Sequence, residues 1–274
     1  MADLAGLTAL VTGSVHGLAR AVAERLAADG AKVVVNYRES GDDAKAMVRT
    51  LRAEGRAAVA VQADMGDPAQ AEALVAETER VFGRLDLLVL GAGPFLPQRV
   101  PVAEQDAQAR AWRAMADANV AGSVAAIARA LPGMRRRRFG RIVTFGFDSV
   151  SDFPAWPGRA AYAAAKSALW SYTRTLALEE CWHGITANMV APGNIRAPFK
   201  EATIEEARAR AKEGHRAPIG RPGSGEDVAR VVRFLVDRDA DFVTGSVIYV
   251  TGGESVVRDG RLPHPSGEGD AGMR

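Results

Sequence analysis

Seven short runs of almost uninterrupted apolar character punctuate the chain, at 7–12, 32–36, 57–62, 85–90, 141–147, 186–190 and 246–250. Longer stretches lie between them, at 17–29, 41–54, 68–82, 104–131, 158–182 and 225–237, with apolar positions at helical spacing. A run that is apolar at nearly every position predicts a strand covered on both faces. Strands that alternate with helices predict a parallel sheet between two helical layers. The expected fold is therefore α/β: one doubly wound domain over 1–257, with a seven-stranded parallel sheet, helices on both faces and no linker. Punctuation agrees, since Asp67-Pro68 offers an N-cap and a proline at the first helical position. Gly30, Gly55, Gly83 and Gly184 fall where helices should stop. Two segments break the rhythm. Residues 193–224 form a polar, Arg/Lys-rich insertion expected to cover a substrate. Residues 258–274, rich in Gly, Pro and Ser, are expected to be a disordered tail.

Composition narrows the possibilities. With 274 residues, 47% hydrophobic and 25% charged, the chain can bury a substantial core. A net charge of +2 gives no electrostatic case for a nucleic-acid or membrane partner. The run Arg135-Arg136-Arg137-Arg138 precedes a strand and is expected in a solvated surface turn. No stretch reaches the roughly 18 apolar residues of a membrane span, and the N-terminus lacks a charged-then-apolar leader, so a cytoplasmic location is expected. The single cysteine, Cys181, excludes an intrachain disulfide and a Cys-based zinc site, and is expected to be a half-buried packing thiol. His16, His183, His215 and His264 lack ligand-like spacing, so no metal is expected.

The first strand runs directly into Thr12-Gly13-Ser14-Val15-His16-Gly17-Leu18-Ala19, and a helix follows. Such a turn exposes backbone N–H groups at a positive helix terminus, which suits a pyrophosphate. Gly13 permits the tight turn, Gly17 the close approach, and Ala19 fits against the strand where a third glycine is common. In this context the turn predicts a Rossmann-type dinucleotide site. The second strand ends Val35-Asn36-Tyr37-Arg38, with no acid to take ribose hydroxyls and with Arg38 able to fork onto a 2′-phosphate, so NADP(H) is expected over NAD(H). His16 is expected to assist from the turn.

Tyr162 and Lys166 stand one helical turn apart in Tyr162-Ala163-Ala164-Ala165-Lys166. A phenol, with a pKa near 10, is a poor acid or base at neutral pH, and a fixed cation nearby lowers that value. The pair could then donate a proton to a carbonyl oxygen or accept one from an alcohol.

With turn, pair and strand order together, the chain resembles the short-chain dehydrogenase/reductase family, and within it the 3-oxoacyl-acyl-carrier-protein reductases. The likeness runs from about Leu7 to Gly253 and includes Asp64 with Met65 after the third strand and Ala92-Gly93 after the fourth. It also takes in Asn119 in the long helix, Pro192-Gly193 with Ile195 after the sixth strand, Pro218-Ile219-Gly220-Arg221, and Thr244-Gly245…Gly252-Gly253. The resemblance implies that NADPH delivers hydride to the carbonyl of a small-molecule substrate, with acyl carrier protein or CoA as its expected carrier. It implies that Tyr162 protonates the oxygen, that Lys166 holds the nicotinamide ribose and depresses the Tyr162 pKa, and that Asn119 supports a water chain. It further implies Asp64 and Met65 beside the adenine, and a homotetramer packed through the two long helices and the last strand. Alanines at 160, 161, 163, 164, 165 and 168 would allow close helix approach, and helix propensity alone accounts for them equally well.

The chain departs from this pattern at the serine that the family places beside the substrate oxygen. Counting back from Tyr162 gives Ser149; counting along the fifth strand gives Phe147, so the loop carries an insertion. Ser149 is the residue expected at the site; with Phe147 there, the oxyanion loses a donor worth about 3 kcal/mol. Leu90-Gly91-Ala92-Gly93 also lacks the family's two asparagines, and the usual threonine after Pro192-Gly193 is replaced near Ala197. These departures keep two alternatives open: reduction of another small molecule, such as a polyketide, a pterin or a sugar alcohol, and an NADP(H)-binding sensor without turnover.

Overall fold

The computed structural model describes residues 4–93, 99–212 and 217–256. The expected tail at 258–274 and the histidines at 215 and 264 lie outside the described residues.

Seven parallel strands pair in the order β3-β2-β1-β4-β5-β6-β7. They are β1 (Thr8–Val11), β2 (Lys32–Tyr37), β3 (Ala58–Gln62), β4 (Leu87–Leu90), β5 (Gly140–Phe145), β6 (Ile185–Pro192) and β7 (Val247–Val250). The helices are α1 (Gly17–Ala28), α2 (Gly41–Ala53), α3 (Pro68–Phe82), α4 (Gln105–Ala116), α5 (Gly122–Arg137), α6 (Ala160–Glu180), α7 (Ile204–Ala209) and α8 (Gly225–Leu235). Alternate strand residues face opposite layers, as the period of two requires. Ala9, Val33, Leu87 and Val143 pack with α1, α2 and α8, whereas Leu10, Val34, Leu88 and Ile142 pack with α3, α5 and α6. Because β1 pairs with both β2 and β4, the winding reverses there, and the crevice at the carboxyl ends of β1 and β4 is where such sheets bind ligands.

Asp67 accepts hydrogen bonds from the Ala69 and Gln70 N–H groups and caps α3, with Pro68 first in the helix. At the other end Gly83 adopts the left-handed conformation, φ 80°.

Three expectations need correction. The helix expected at 104–131 is two helices joined by a π turn at Asp117–Ala121, and α5 runs on through Pro132 to Arg137. Gly133, next after the proline, lies on the face that meets α3, where a Cβ would come within 2.8 Å of Glu79 Oε1. The arginine run is accordingly the last turn of α5 rather than a free loop: Arg135 pairs with buried Glu180, and Arg137 Nε donates to fully buried Asp86 at 3.2 Å. Cys181 is exposed on a short 3₁₀ turn, its thiol directed at the Leu178 carbonyl. Among the described residues no helix is long and apolar enough to cross a membrane, and no cluster of three metal-ligating side chains occurs.

Candidate functional site

The glycine turn between β1 and α1 is braced from β2. Asn36, buried at the end of that strand, accepts from the Gly13 N–H at 2.9 Å through Oδ1. Its amide nitrogen donates to the Ala63 carbonyl at 3.1 Å, tying the turn to the end of β3. Ser14, expected at the cofactor, instead turns its hydroxyl inward to the Val11 carbonyl at 2.7 Å and is fully buried; it holds the turn's shape. Gly13 has φ 62°, and a Cβ there would lie 3.0 Å from Ala92 Cα, so both conformation and space require glycine.

Two cavities meet at this turn. One, of about 470 Å³, is lined by Gly13, His16, Arg38, Asp64, Met65 and Ala92, among others. The other, of about 1090 Å³, is walled by His16, Gly17 and Leu18 on one side, by Tyr162 and Lys166 on another, and by Pro192, Gly193 and Ile195 on a third. The expected site residues thus converge from distant parts of the sequence on one continuous cleft. Arg38 lies on its rim, 59% exposed, with Nε 3.0 Å from Glu39. Asp64 accepts from the Gly66 N–H at 2.8 Å, an Asx turn that leaves the capping of α3 to Asp67. His16 Nε2 lies 3.3 Å from Ser40 Oγ and 3.4 Å from Asp43 Oδ2.

Tyr162 and Lys166 occupy the first two turns of α6. The alanines around them explain how so polar a residue as Lys166 can be buried. Ala161 and Ala165 let α6 press against Ala111 and Met115 of α4, while Ala163 meets Phe147 and Trp170. These alanines therefore serve packing within the chain; Ala168 remains exposed. Lys166 Nζ lies 5.9 Å from the centroid of the Tyr162 ring. Burial pushes the phenol up to about 12 and the ammonium down to about 8. Each shift comes from the group's own burial, so the phenol sits above its ordinary value instead of below it and keeps its proton at neutral pH.

Asn119 sits fully buried in the π turn, its amide nitrogen donating to the Met115 carbonyl at 3.1 Å. Its Oδ1 has no protein donor. That oxygen faces Gly93: a Cβ on Gly93 would collide with it and come within 3.1 Å of Lys166 Nζ. Gly93, Asn119 and Lys166 are therefore packed closely together around one buried acceptor that no protein group satisfies.

The fifth strand ends at Phe145, two residues earlier than expected. Phe147 stacks on Tyr162 at 5.9 Å and on Trp156 at 5.3 Å between centroids, and Trp156 meets Tyr162 edge-on at 5.8 Å. Ser149 lines the same cavity two residues on, in a left-handed conformation (φ 61°), its hydroxyl directed at Asp148 at 3.3 Å. It is Phe147, not Ser149, whose side chain packs on the Tyr162 ring. Burial also pushes the Asp148 carboxyl up, aided by repulsion from Glu254, while bonds from Ser149 and Ser255 oppose the rise.

Sequence reasoning missed Trp156, Asp148, Glu254 and Glu201. Trp156 lies between two prolines just before Tyr162, a detectable aromatic signal; the carboxylates look like ordinary surface charges. Glu201 accepts from the Gly17 N–H at 2.7 Å, bringing part of the 193–224 insertion onto the glycine turn.

The family model described as enoyl-(acyl carrier protein) reductase matches residues 13–255. YtkK of Bacillus subtilis (strain 168), named as an oxidoreductase, is 42% identical over 91% of this chain and 96% of its own. The 3-oxoacyl-[acyl-carrier-protein] reductase FabG of Staphylococcus aureus (strain Mu50 / ATCC 700699) is 35% identical over 90% of this chain and 97% of its own. Among solved structures, a blue fluorescent protein from a metagenomic library, in complex with NADPH, is 34% identical with a TM-score of 0.77, covering 92% of this chain and 99% of that one. The glycine turn, the reversed sheet and the buried Tyr162/Lys166 pair are thus found together in an oxidoreductase that belongs to the short-chain dehydrogenase/reductase family.

Proposed function

We propose that the protein reduces a ketone with NADPH, the substrate being a 3-oxoacyl thioester or a similar carbonyl compound, and that Tyr162 is the general acid. The observation that carries this is the buried phenol facing a cleft continuous with the glycine turn, one helical turn from Lys166. The residues present fit a dinucleotide: Gly13 and Gly17 open the turn, Gly93 lets Asn119 and Lys166 come close to the chain there, and Arg38 stands at the rim without a neighbouring acid at Asn36 or Tyr37. The smaller cavity, with Asp64 and Met65, would hold the adenosine, and the larger one the nicotinamide end with Pro192, Gly193 and Ile195. When bound, the cofactor supplies the hydride. Tyr162, protonated at neutral pH, donates its proton to the carbonyl oxygen. Lys166 holds a ribose hydroxyl and restores the proton, and the free acceptor of Asn119 orients a water on that path. Homotetramer assembly is proposed on family likeness.

Phe147 favours a second reading. An aromatic ring beside the phenol supplies no oxyanion donor, which suits either a substrate other than 3-oxoacyl thioesters or a cofactor-binding sensor. The test is NADPH oxidation with a panel of acetoacetyl thioesters, diketones and aromatic ketones. Turnover that falls about 10²–10⁴-fold in Tyr162→Phe, with NADPH binding retained, supports the reductase. Tight NADPH binding without turnover across the panel would favour the sensor.

A further inference from the structure

The first N–H groups of a helix have no intrahelical partner and draw anions. In α1 the Gly17 N–H donates to a carboxylate of the chain itself, Glu201 Oε1, at 2.7 Å. The other oxygen, Oε2, lies 3.6 Å from Arg20 Nη1 on the same helix. The 3₁₀ turn that carries Glu201, Phe199–Glu201, is anchored rather than draped: Phe199 is 3% exposed within the core beneath α1. The Lys200 carbonyl fits against Gly225 at the start of α8, where a Cβ would collide with it. The Lys200 stem also runs over Gly17, 3.7 Å from where a side chain on that residue would begin.

We propose that Glu201 is an internal stand-in for the cofactor's phosphate: it holds the Gly17 N–H and must leave it when the diphosphate of NADPH settles on the turn. The inference rests on the NADPH reading above and adds a residue that sets cofactor affinity. Two anions cannot share one amide donor, and their repulsion opposes any intermediate in which both stay. Glu201 therefore weakens cofactor binding.

The test compares wild type, Glu201→Gln and Glu201→Ala by titration calorimetry with NADPH and, in parallel, with adenosine 2′-monophosphate, which lacks the diphosphate. Glu201 is 41% exposed on its side chain, so its hold is modest. Both variants are expected to bind NADPH about two- to fivefold more tightly, the range of an anion at a helix terminus, with the monophosphate unchanged. Unchanged or weaker NADPH binding in the variants overturns the inference. An equal gain for both ligands also overturns it, since that would reflect overall charge rather than competition at the turn. A wild-type protein that binds no NADPH overturns the reductase reading itself, and this inference with it.

Discussion

Replacing Lys166 with methionine should stabilise the protein, and the gain should fade in alkali. The Lys166 side chain is buried to 3% exposure, and burial lowers its proton affinity from the usual 10.5 to about 8. In the unfolded chain the amine binds its proton at up to pH 10.5, whereas the folded protein surrenders it near pH 8. The folded state thus carries a penalty that is complete below about pH 8, shrinks as the pH rises toward 10.5, and vanishes above. At about 1.4 kcal/mol for each tenfold change in proton affinity, the penalty is roughly 3 kcal/mol at pH 7 and about 1 kcal/mol at pH 10. Methionine has a similar unbranched shape and no charge to desolvate. Guanidinium unfolding of wild type and Lys166→Met at both pH values isolates the term, because other titrating groups contribute alike to both proteins. The variant's advantage should shrink by about 2 kcal/mol between pH 7 and pH 10. An advantage that is constant with pH, or that grows, would refute the claim that an ionised lysine is held against its desolvation cost. The same variant should lose turnover, so that stability and activity part at one residue.

Arg38→Glu should weaken NADPH binding by about tenfold or more while sparing NADH, because a forked contact to the 2′-phosphate becomes a repulsion; dissociation constants for the two dinucleotides check this. Phe147→Ser should raise kcat toward simple 3-oxoacyl thioesters by about tenfold or more if a hydroxyl there reaches the oxyanion, with little change in NADPH affinity. Steady-state kinetics would read it, and an unchanged kcat would show that the loop holds residue 147 away from the reacting oxygen.

The strands were legible because a doubly covered parallel sheet demands runs such as Leu87–Leu90 that are apolar throughout, and Asp67-Pro68 announced α3 through capping chemistry alone. Tyr162 and Lys166 stood out from their spacing on one helix. The π turn at Asn119 was not legible, since one additional residue in a helix leaves both flanking patterns intact. Neither was the continuation of α5 past Pro132, where the helix packs on α3 from far away in sequence. The hydroxyl of Ser14 was not legible as a brace, because a polar residue in a phosphate turn reads as a ligand contact until Val11 and Asn36 are seen to engage it. Glu201 was invisible for the opposite reason: nothing local marks an exposed acid in a polar insertion as the partner of a backbone amide 184 residues earlier.

The wide turn at Asp117–Ala121, closed by the Gly122 N–H on the Asp117 carbonyl, absorbs one surplus residue between two otherwise regular helices. Excising a single residue from it would restore an unbroken α-helix without rotating either buried face. It would also swing Asn119 by about 100° around the axis, away from Gly93 and Lys166. A chain shortened in this way should fold at least as well as its parent and yet lose the buried amide oxygen that now lies between Gly93 and Lys166.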